Sequence, residues 1–399
     1  MKNCPKIGAI LLLCIFTVIS QDYDWKYSLE QLCQLYGYEY EEHHVTTQDG
    51  YILLLQRIRG PLGQDNSNRE PLYFSDDISQ DEGYFFLVGP DESPGYRLID
   101  AGYDGWFLHP RGDEMSRRHV EQANGRYDPG SYEYWDFDLN DMALDHLAAI
   151  EYINQLTGYP QIHIYGYSSG GISVGFAFAL YPEFMNQRVR DVHYAAVPMN
   201  IYHSGFIVFQ MLAAYPQVIE GMINMGVYSI YNNNVPLRMM QGLPCIPNPM
   251  LCLMWNALTT GQSSVSEDNP IGYTNFLLRG NVGTSLRAVK HMTQSGLSGE
   301  VTSYDHGTEG NLEEYGQEQP PRIPLENINV PVCMYYSPDN EAADMEDAEW
   351  FADQMGDSVV AFNTYPGYSL LSFNIGNDMY FLDDVIDLLQ QYPIQRTEA

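Results

Sequence analysis

A serine flanked by glycines is the feature of this sequence that most directly suggests chemistry. Residues 166–170 read GYSSG, which fits the G-x-S-x-G pattern of a nucleophile elbow with Ser168 at its centre. In such an elbow a sharp strand-to-helix turn exposes the serine hydroxyl, and an adjacent base activates it for acyl transfer. Because a pentapeptide is a short signal, the prediction depends on the surrounding elements and on the presence of a base.

The elements that must position Ser168 are predicted by apolar runs and by helical periodicity. Strand-like runs bounded by turn residues occur at 51–58, 71–75, 103–109, 161–167, 330–337 and 358–365. Apolar residues at spacings of three to five predict a helix that begins near Asn140, and a second periodic segment covers 379–392. Strands that alternate with helices predict an α/β fold with a doubly wound, mostly parallel sheet. Ser168 directly follows one of these strands, as an elbow requires.

The alternation of strands and helices fades in the middle of the chain. Between about 183 and 324 the sequence is rich in methionine and aromatic residues, and no linker composition separates this stretch from the rest. We therefore expect a single domain over 21–399 with a cap inserted between sheet strands at about 183–324. The apolar side chains of the cap are candidates to line a lipid pocket, although packing inside the cap accounts for most of them.

The first twenty residues are typical of a secretion signal. Lys2 and Lys6 precede an apolar run over 7–19, and Ser20 provides a small residue at a cleavage site before Gln21. The apolar run is too short to cross a bilayer core of about 30 Å. We expect cleavage, an extracellular protein and no integral membrane association.

The net charge excludes several kinds of partner. The chain has 52 acidic residues against 19 lysines and arginines, a formal net charge of −33 at pH 7. A surface of this kind repels nucleic acid and anionic membranes. We expect no nucleic acid, no metal and no cofactor, and the partner class that remains is a lipid or another hydrophobic small molecule.

The cysteines that follow the predicted signal fall into two groups. Cys245 and Cys252 bracket six residues that include two prolines, so we expect a local disulfide in an oxidising compartment. Cys33 lies in a helical pattern and Cys333 in a strand, where buried free thiols are expected. No Cys/His spacing typical of a metal site occurs in the sequence.

Several longer segments carry a family resemblance together. They are YGYEYEEHHVTTQDGYILLLQRI at 36–58, GPDESPGYRLIDAGYDGWFLHPRGDEMSRRHV at 89–120, YWDFDLNDMALDHLAAIEYI at 134–153 and YDHGTEGNLEEYGQEQPP at 304–321. As a set they resemble the acid lipase family, the lysosomal and gastric type of α/β-hydrolase. The first segment is similar to the N-terminal strand pair of that family. The resemblance implies an α/β-hydrolase fold with an inserted helical cap.

The resemblance also implies a catalytic triad of a serine, an acid and a histidine, which follow in that chain order. It places Asn340 at the position of the acid, with Asp339 one residue away, and Leu370 at the position of the histidine. The ten histidines end at His306, so none follows Asn340. Because a serine hydroxyl without an adjacent base is a poor nucleophile, we expect Ser168 to be a vestigial nucleophile.

The oxyanion region departs from the family pattern as well. Where family members carry H-G-L after the strand at 71–75, this sequence carries Asp76-Asp77-Ile78. The residue after the nucleophile, Ser169, belongs to the same region because its backbone N–H contributes to the oxyanion hole. Two carboxylates beside a developing negative charge oppose the transition state that the hole stabilises.

Three other histidines are candidates to replace the missing base. His109 ends the run at 103–109, His163 lies five residues before Ser168 on the strand that leads into the elbow, and His119 lies in the segment 89–120. None of them combines the expected chain order with an acid partner. Ordinary buried or surface roles account for each.

We therefore expect a secreted, lipase-like protein that is catalytically inactive. It would bind a lipid or another hydrophobic ligand under the cap, or serve an extracellular structural, storage or interaction role. The alternative is an active carboxylic ester hydrolase of lipid metabolism that uses Ser168 with a non-standard base.

Overall fold

A computed structural model describes residues 24–80, 82–230, 235–260, 262–280 and 282–396. The predicted signal segment at 1–20 lies outside the described residues. The strands are β1 (Tyr38–Thr46), β2 (Tyr51–Pro61), β3 (Glu70–Ser75), β4 (Tyr103–Leu108), β5 (Arg118–His119), β6 (Ile162–Tyr167), β7 (Val189–Ala195), β8 (Ser229–Ile230), β9 (Thr284–Ser285), β10 (Val332–Tyr336) and β11 (Val359–Thr364).

The α-helices lie before, between and after these strands. They are α1 (Leu29–Tyr36), α2 (Pro94–Asp100), α3 (Tyr132–Trp135), α4 (Leu139–Thr157), α5 (Ser168–Leu180), α6 (Pro182–Arg188), α7 (Ile207–Ala214), α8 (Pro216–Asn224), α9 (Val235–Gly242), α10 (Pro249–Thr260), α11 (Pro270–Arg279), α12 (Leu286–Ser298), α13 (Gly307–Tyr315), α14 (Met345–Met355), α15 (Ser372–Ile375) and α16 (Phe381–Leu389).

One large, mostly parallel sheet forms the centre of the protein. Its strands follow the order β1-β2-β4-β3-β6-β7-β10-β11, and β5 pairs with β2. β2 pairs antiparallel with β1 and β4, whereas the pairs from β4 through β11 are parallel. β8 and β9 form a separate antiparallel pair. The sheet confirms the predicted α/β class, and the six strands predicted from apolar runs correspond to β2, β3, β4, β6, β10 and β11.

β7 corrects the predicted start of the cap. The sequence analysis assigns the segment from about residue 183 to the cap, but β7 lies in the sheet between β6 and β10. Its sequence, VRDVHYA, contains charged and polar residues, and two of them, Asp191 and His193, are fully buried. These residues interrupt the apolar run that would have indicated a strand. The chain between β7 and β10 is largely helical, and its description as a cap remains a proposal.

Asp191 and His193 are buried because they pair with other polar groups at the amino ends of the parallel strands. His163 Nδ1 lies 3.0 Å from Asp191 Oδ1, and His163 Nε2 lies 2.9 Å from Glu70 Oε2. His193 Nε2 lies 3.3 Å from the same Asp191 oxygen, and His193 Nδ1 lies 2.8 Å from the Tyr335 hydroxyl. Burial lowers the pKa of His163, but the two neighbouring carboxylates outweigh that effect and raise the pKa to about 9.

β6 and α5 hold the elbow at the carboxyl end of β6, opposite the amino ends where His163 and Asp191 pair. α5 begins at Ser168, directly after β6 ends at Tyr167, and its residues 168–179 are all buried. A helix that is buried on every face is apolar all round, and the sequence of α5, SSGGISVGFAFAL, has no charged residue. The loops after β3, β6, β10 and β11 therefore meet around the N-terminus of a rigidly packed helix.

Stability should fall at alkaline pH because of His163. A histidine whose pKa is raised on folding stabilises the fold fully below about pH 6.5, and this effect is lost as the pH rises through about 9. We expect the native free energy of unfolding to fall by about 2–3 kcal/mol over that window, and that of His163→Gln to change less. Urea unfolding at about pH 6 and about pH 9.5 measures both values.

His44→Gln is the matched control for this experiment. His44 is exposed, and its pKa is lowered, first by partial burial and then by Arg118, so it does not titrate in the alkaline window. His44→Gln should keep the native pH dependence. An equal alkaline loss in native protein and in His163→Gln would contradict the assignment of the proton to His163.

Candidate active site

Ser168 has the strained backbone conformation of a nucleophile elbow. Its φ is 51°, in the left-handed region, and its side chain is buried with 3% of its surface exposed. This conformation costs a non-glycine residue roughly 1–2 kcal/mol. The turn predicted from the GYSSG motif is therefore present, with its strain retained.

The motif glycines allow the elbow to pack against the loop that follows β3. A Cβ atom on Gly170 would lie 2.0 Å from the backbone oxygen of Asp76 and 2.6 Å from that of Ser75. A Cβ atom on Gly171 would lie 2.2 Å from Val197 Cγ2. The elbow lies against loop backbone at Gly170 and against the Val197 side chain at Gly171, so both glycines serve packing whether or not the serine reacts.

Asp77 is the side chain that accepts the hydrogen bond of the Ser168 hydroxyl. Ser168 Oγ donates to Asp77 Oδ2 at 3.2 Å, and Ser169 Oγ donates to the same oxygen at 2.8 Å. The other oxygen, Asp77 Oδ1, accepts from the backbone N–H and the hydroxyl of Ser79 at 3.0 and 2.7 Å. The carboxylate is thus fixed beside Ser168, where an active enzyme of this kind has a base on one side and an oxyanion hole on the other.

The backbone donors of the same loop are occupied by side chains. The N–H of Asp77 donates to Asp76 Oδ1 at 2.7 Å, and the N–H of Ile78 donates to Ser169 Oγ at 3.0 Å. An oxyanion hole needs such N–H groups aimed at the position of the developing charge. In this arrangement they point at acceptors of the protein itself.

Asn340 lies in the loop after β10, at the position where the family resemblance places the acid. Its Oδ1 accepts the backbone N–H groups of Ala342 and Ala343 at 3.0 and 3.2 Å. Its side chain is buried, and within the described part of the chain its Nδ2 has no hydrogen-bond partner. Asp339 faces elsewhere, because its Oδ2 accepts the N–H of Gly367 at 2.6 Å.

Leu370 lies after β11 in a turn that is held by a buried carboxylate. The hydroxyls of Ser369 and Ser372 donate to Asp268 Oδ1 at 2.6 and 2.5 Å, and the Tyr167 hydroxyl donates to the Leu370 oxygen at 2.9 Å. Burial raises the pKa of Asp268, while the two serines act in the opposite direction. The position predicted for a histidine is therefore an aliphatic side chain in a well-bonded segment.

A cavity of about 310 Å³ brings these residues together. Its polar side is formed by residues that the sequence analysis singled out, namely Ser168, Ser169, Asp77, Ile78, Asn340 and Leu370. Asp76 is buried beside them but does not line the cavity. The apolar side comes from the helical segment after β7, with Phe206, Val208, Phe209 and Leu212 at or near α7 and Val289 and Met292 on α12.

The charges around the cavity are negative. Asp77 and Glu341 line it, and none of its described lining residues is a lysine, an arginine or a histidine. The pKa of the Tyr167 hydroxyl is raised well above its ordinary value, first by burial and then by Asp76 and Asp77. A ligand in the cavity therefore meets an uncompensated negative potential.

The histidines considered as replacement bases lie elsewhere. His109 contacts Asp113 Oδ2 and Gln56 Oε1, each at 2.9 Å. His163 belongs to the paired network at the amino ends of the strands, and His119 Nε2 lies 2.9 Å from the backbone oxygen of Asp49. Because none of the three lines the cavity, their placement agrees with ordinary structural roles.

Asp268 is a contributor to this site that was not identified from the sequence, because it lies 101 residues before Ser369 and no local pattern links the two. The apolar wall at Phe206 and Phe209 falls in the stretch that is rich in methionine and aromatic residues, whose apolar side chains the sequence analysis names as candidates to line a pocket. The disulfide between Cys245 and Cys252 is present, and Cys33 and Cys333 are buried free thiols, as predicted.

The fold and the site define the class of protein. A mostly parallel sheet, a strained serine elbow after a central strand and a cavity at the carboxyl ends of the strands are features of an α/β-hydrolase. The crystal structure of the alpha/beta hydrolase GrgF from Penicillium sp. sh18 is similar in fold, with a TM-score of 0.51 over 89% of this chain and 99% of that chain, at 15% identity.

Sequence comparison finds similarity to lipases. The family described as the partial alpha/beta-hydrolase lipase region matches residues 29–85. Human gastric triacylglycerol lipase is 29% identical over 87% of this chain and 86% of its own length, and Lipase 1 of Drosophila melanogaster is 27% identical over 82% of this chain and 71% of its own. The chain is therefore similar to these lipases over most of its length, which supports the resemblance to the acid lipase family.

Gly170→Ala should destabilise the protein because the new methyl group would overlap the backbone of the loop after β3. We expect a loss of at least about 2 kcal/mol in the free energy of unfolding, measured by urea unfolding. Gly221→Ala on α8 is the control, because a Cβ atom there has no neighbour within 4 Å. The control should be neutral or stabilising by up to about 1 kcal/mol. Equal tolerance of both substitutions would contradict the close approach of the elbow and the loop.

Proposed function

We propose that this protein is a catalytically inactive acid lipase-like protein that binds a hydrophobic ligand in the cavity beside Ser168. The observation that carries the proposal is the hydrogen bond from Ser168 Oγ to Asp77 Oδ2. This bond directs the Ser168 hydroxyl to a carboxylate instead of an imidazole, and the position that the family resemblance implies for the base holds Leu370.

The expected loss of turnover supports the proposal that the protein does not hydrolyse esters. Removal of the histidine of a serine hydrolase triad costs on the order of 10⁶ in turnover, and loss of one oxyanion donor costs about 10² to 10³, although such effects are not additive. A carboxylate is a weaker base than an imidazole, and its negative charge opposes the charge that forms on the substrate oxygen. Asp77 is therefore a poor substitute for the missing base.

The walls of the cavity support a hydrophobic ligand. Binding sites for small molecules are concave, mostly apolar and roughly 300–1,000 Å³ in volume, and this cavity of about 310 Å³ has aromatic and aliphatic walls. A lipid is the ligand class that the relatives suggest, because they include gastric triacylglycerol lipases.

We also propose that the protein is secreted. The predicted signal at 1–20 and the disulfide between Cys245 and Cys252 support an oxidising, extracellular compartment. Among the helices that the structure describes, none has the length and apolar character that crossing a bilayer requires.

A second candidate function is ester hydrolysis that uses Ser168 with Asp77 as a non-standard base. The strained φ of Ser168 favours it, because strain of this kind is typical of functional sites. The occupied loop N–H groups and the negative potential of the cavity argue against it.

A short-chain ester assay distinguishes the two functions. We expect native protein, Ser168→Ala and the exposed control Ser298→Ala to give the same turnover within about twofold, since no activated nucleophile contributes. Native turnover that is well above background, lost in Ser168→Ala and kept in Ser298→Ala would show that the protein is an esterase.

Ligand binding is tested by filling the cavity from its rim. Val208 lines the cavity and is 38% exposed, so Val208→Trp can extend into the cavity without disturbing the core. A neutral polarity-sensitive dye should bind the native protein, and its affinity should fall at least about tenfold in Val208→Trp. Val218→Trp is the control, because Val218 is exposed on the neighbouring helix α8 and does not line the cavity. An equal loss in both variants, or no dye binding at all, would contradict the proposal.

A further inference from the structure

We infer that the cavity prefers a hydrophobic ligand with a positively charged head group, of which an alkylammonium ion is the simplest example, and disfavours the carboxylate of a free fatty acid. The inference rests on the proposed ligand-binding function and names the chemical class of the ligand. The carboxylates of Asp77 and Glu341 line the cavity, and its described lining residues include no lysine, arginine or histidine. A cationic head group supplies the charge that these walls lack.

Asp77 is a fixed negative charge on the polar wall of the cavity. Its two oxygens accept four hydrogen bonds, from the hydroxyls of Ser168, Ser169 and Ser79 and from the backbone N–H of Ser79. An ionised carboxylate only accepts hydrogen bonds, and each of these four contacts has a protein donor. Because the donors are electrically neutral, they orient the carboxylate and leave its net charge in place.

Glu341 places a second carboxylate on the wall, in the loop between β10 and α14. Its backbone oxygen accepts the N–H of Phe206 at 3.1 Å and the hydroxyl of Ser204 at 2.9 Å, which ties the loop to the start of α7. Its Oε2 lies so near Gly205 that a Cβ atom there would be 2.2 Å away. The position of this carboxylate is therefore set by the packing of the loop against α7.

The Glu341 carboxylate has no partner of its own in the part of the chain that the structure describes. No group there donates a hydrogen bond to it and no cation pairs with it, although the residue is half-buried. A charge held partly out of water without a partner is costly. A cation on the ligand offsets that cost.

The aromatic walls suit both parts of a cationic, hydrophobic ligand. The face of an aromatic ring attracts a cation, and its carbon atoms bury a hydrocarbon chain. The same negative face adds to the repulsion of a carboxylate. Four aromatic side chains line the cavity, namely those of Tyr167, Phe206, Phe209 and Phe276.

Ligands with one hydrocarbon chain and different head groups should therefore bind in a defined order. An alcohol gains the burial of its chain, an ammonium ion adds attraction to Asp77 and Glu341, and a carboxylate adds repulsion from both. Removal of the ammonium ion from water opposes its binding, but the half-buried Glu341 leaves a cation beside it partly hydrated. Repulsion of the wrong ligand contributes to such selectivity as much as attraction of the right one.

The experiment compares octylammonium, octan-1-ol and octanoate as competitors of the neutral dye on the native protein. The amine and the acid are charged at about pH 7.5, and at about 0.15 M salt the Debye length of about 8 Å screens distant surface charges. We expect octylammonium to bind at least about tenfold more tightly than octanoate, with octan-1-ol between them. The inference is overturned if octanoate or octan-1-ol binds as tightly as octylammonium, or if octylammonium does not displace a dye that binds. Failure of the dye and of all three ligands would overturn the proposed binding function itself.

Glu341→Gln tests the cause of the selectivity. The substitution removes one charge, keeps the shape of the side chain and breaks no hydrogen bond among the described residues. The preference for octylammonium over octanoate should fall at least about threefold. Glu349→Gln makes the same chemical change at an exposed residue of α14 that does not line the cavity, and it should keep the native preference.

Two results with these variants would overturn the inference. One is an unchanged preference in Glu341→Gln, and the other is an equal change in Glu341→Gln and Glu349→Gln. The native ligand series decides the inference by itself if Glu341→Gln does not fold.

Discussion

The close contact between the serine elbow and the loop after β3 determines most properties of this site. The backbone of that loop lies so near Gly170 that a single added carbon would be 2.0 Å from the oxygen of Asp76. In an active hydrolase the same proximity brings loop N–H groups to the substrate oxygen. Here it brings the Asp77 carboxylate to the Ser168 hydroxyl, so a fixed packing constraint gives a different chemical result when the loop sequence changes.

Acidic residues have different partners at the two ends of the parallel strands. At the amino ends of the strands, Asp191 and Glu70 are paired with His163, which offsets part of their negative charge. At the carboxyl ends, Asp77 is held by hydroxyl and backbone donors, and no cation lines the cavity among the described residues. Hydrogen bonds keep such a carboxylate in place but do not neutralise it. The negative potential of Asp77 and Glu341 therefore acts on any ligand that enters the cavity.

The sequence predicted the residues of the site better than the hydrogen bonds and ion pairs that they form. The motif at 166–170 predicted the elbow, and Asn340 and Leu370, which the family resemblance assigns to the acid and histidine positions, both line the cavity beside it. β7 was missed because Asp191 and His193, which are buried by pairing with distant strands, look like exposed polar residues in a linear pattern. The hydrogen-bond partner of Ser168 could not be predicted from the sequence either. Asp77 is 91 residues away along the chain, and its contact with Ser168 depends on how the loop after β3 packs.

The presence of an open cavity favours the proposed ligand-binding function. A site without a function is free to repack, and burying exposed apolar walls stabilises a protein by about 25 cal/mol per Å². The strain at Ser168 is also unrelieved, although a glycine would accept its φ of 51° without cost. Leu370, by contrast, sits in a turn whose serines bond to Asp268, so the segment to which the family resemblance assigns the histidine forms a well-bonded wall of the cavity. A well-bonded wall beside an open cavity agrees with the proposed ligand-binding function.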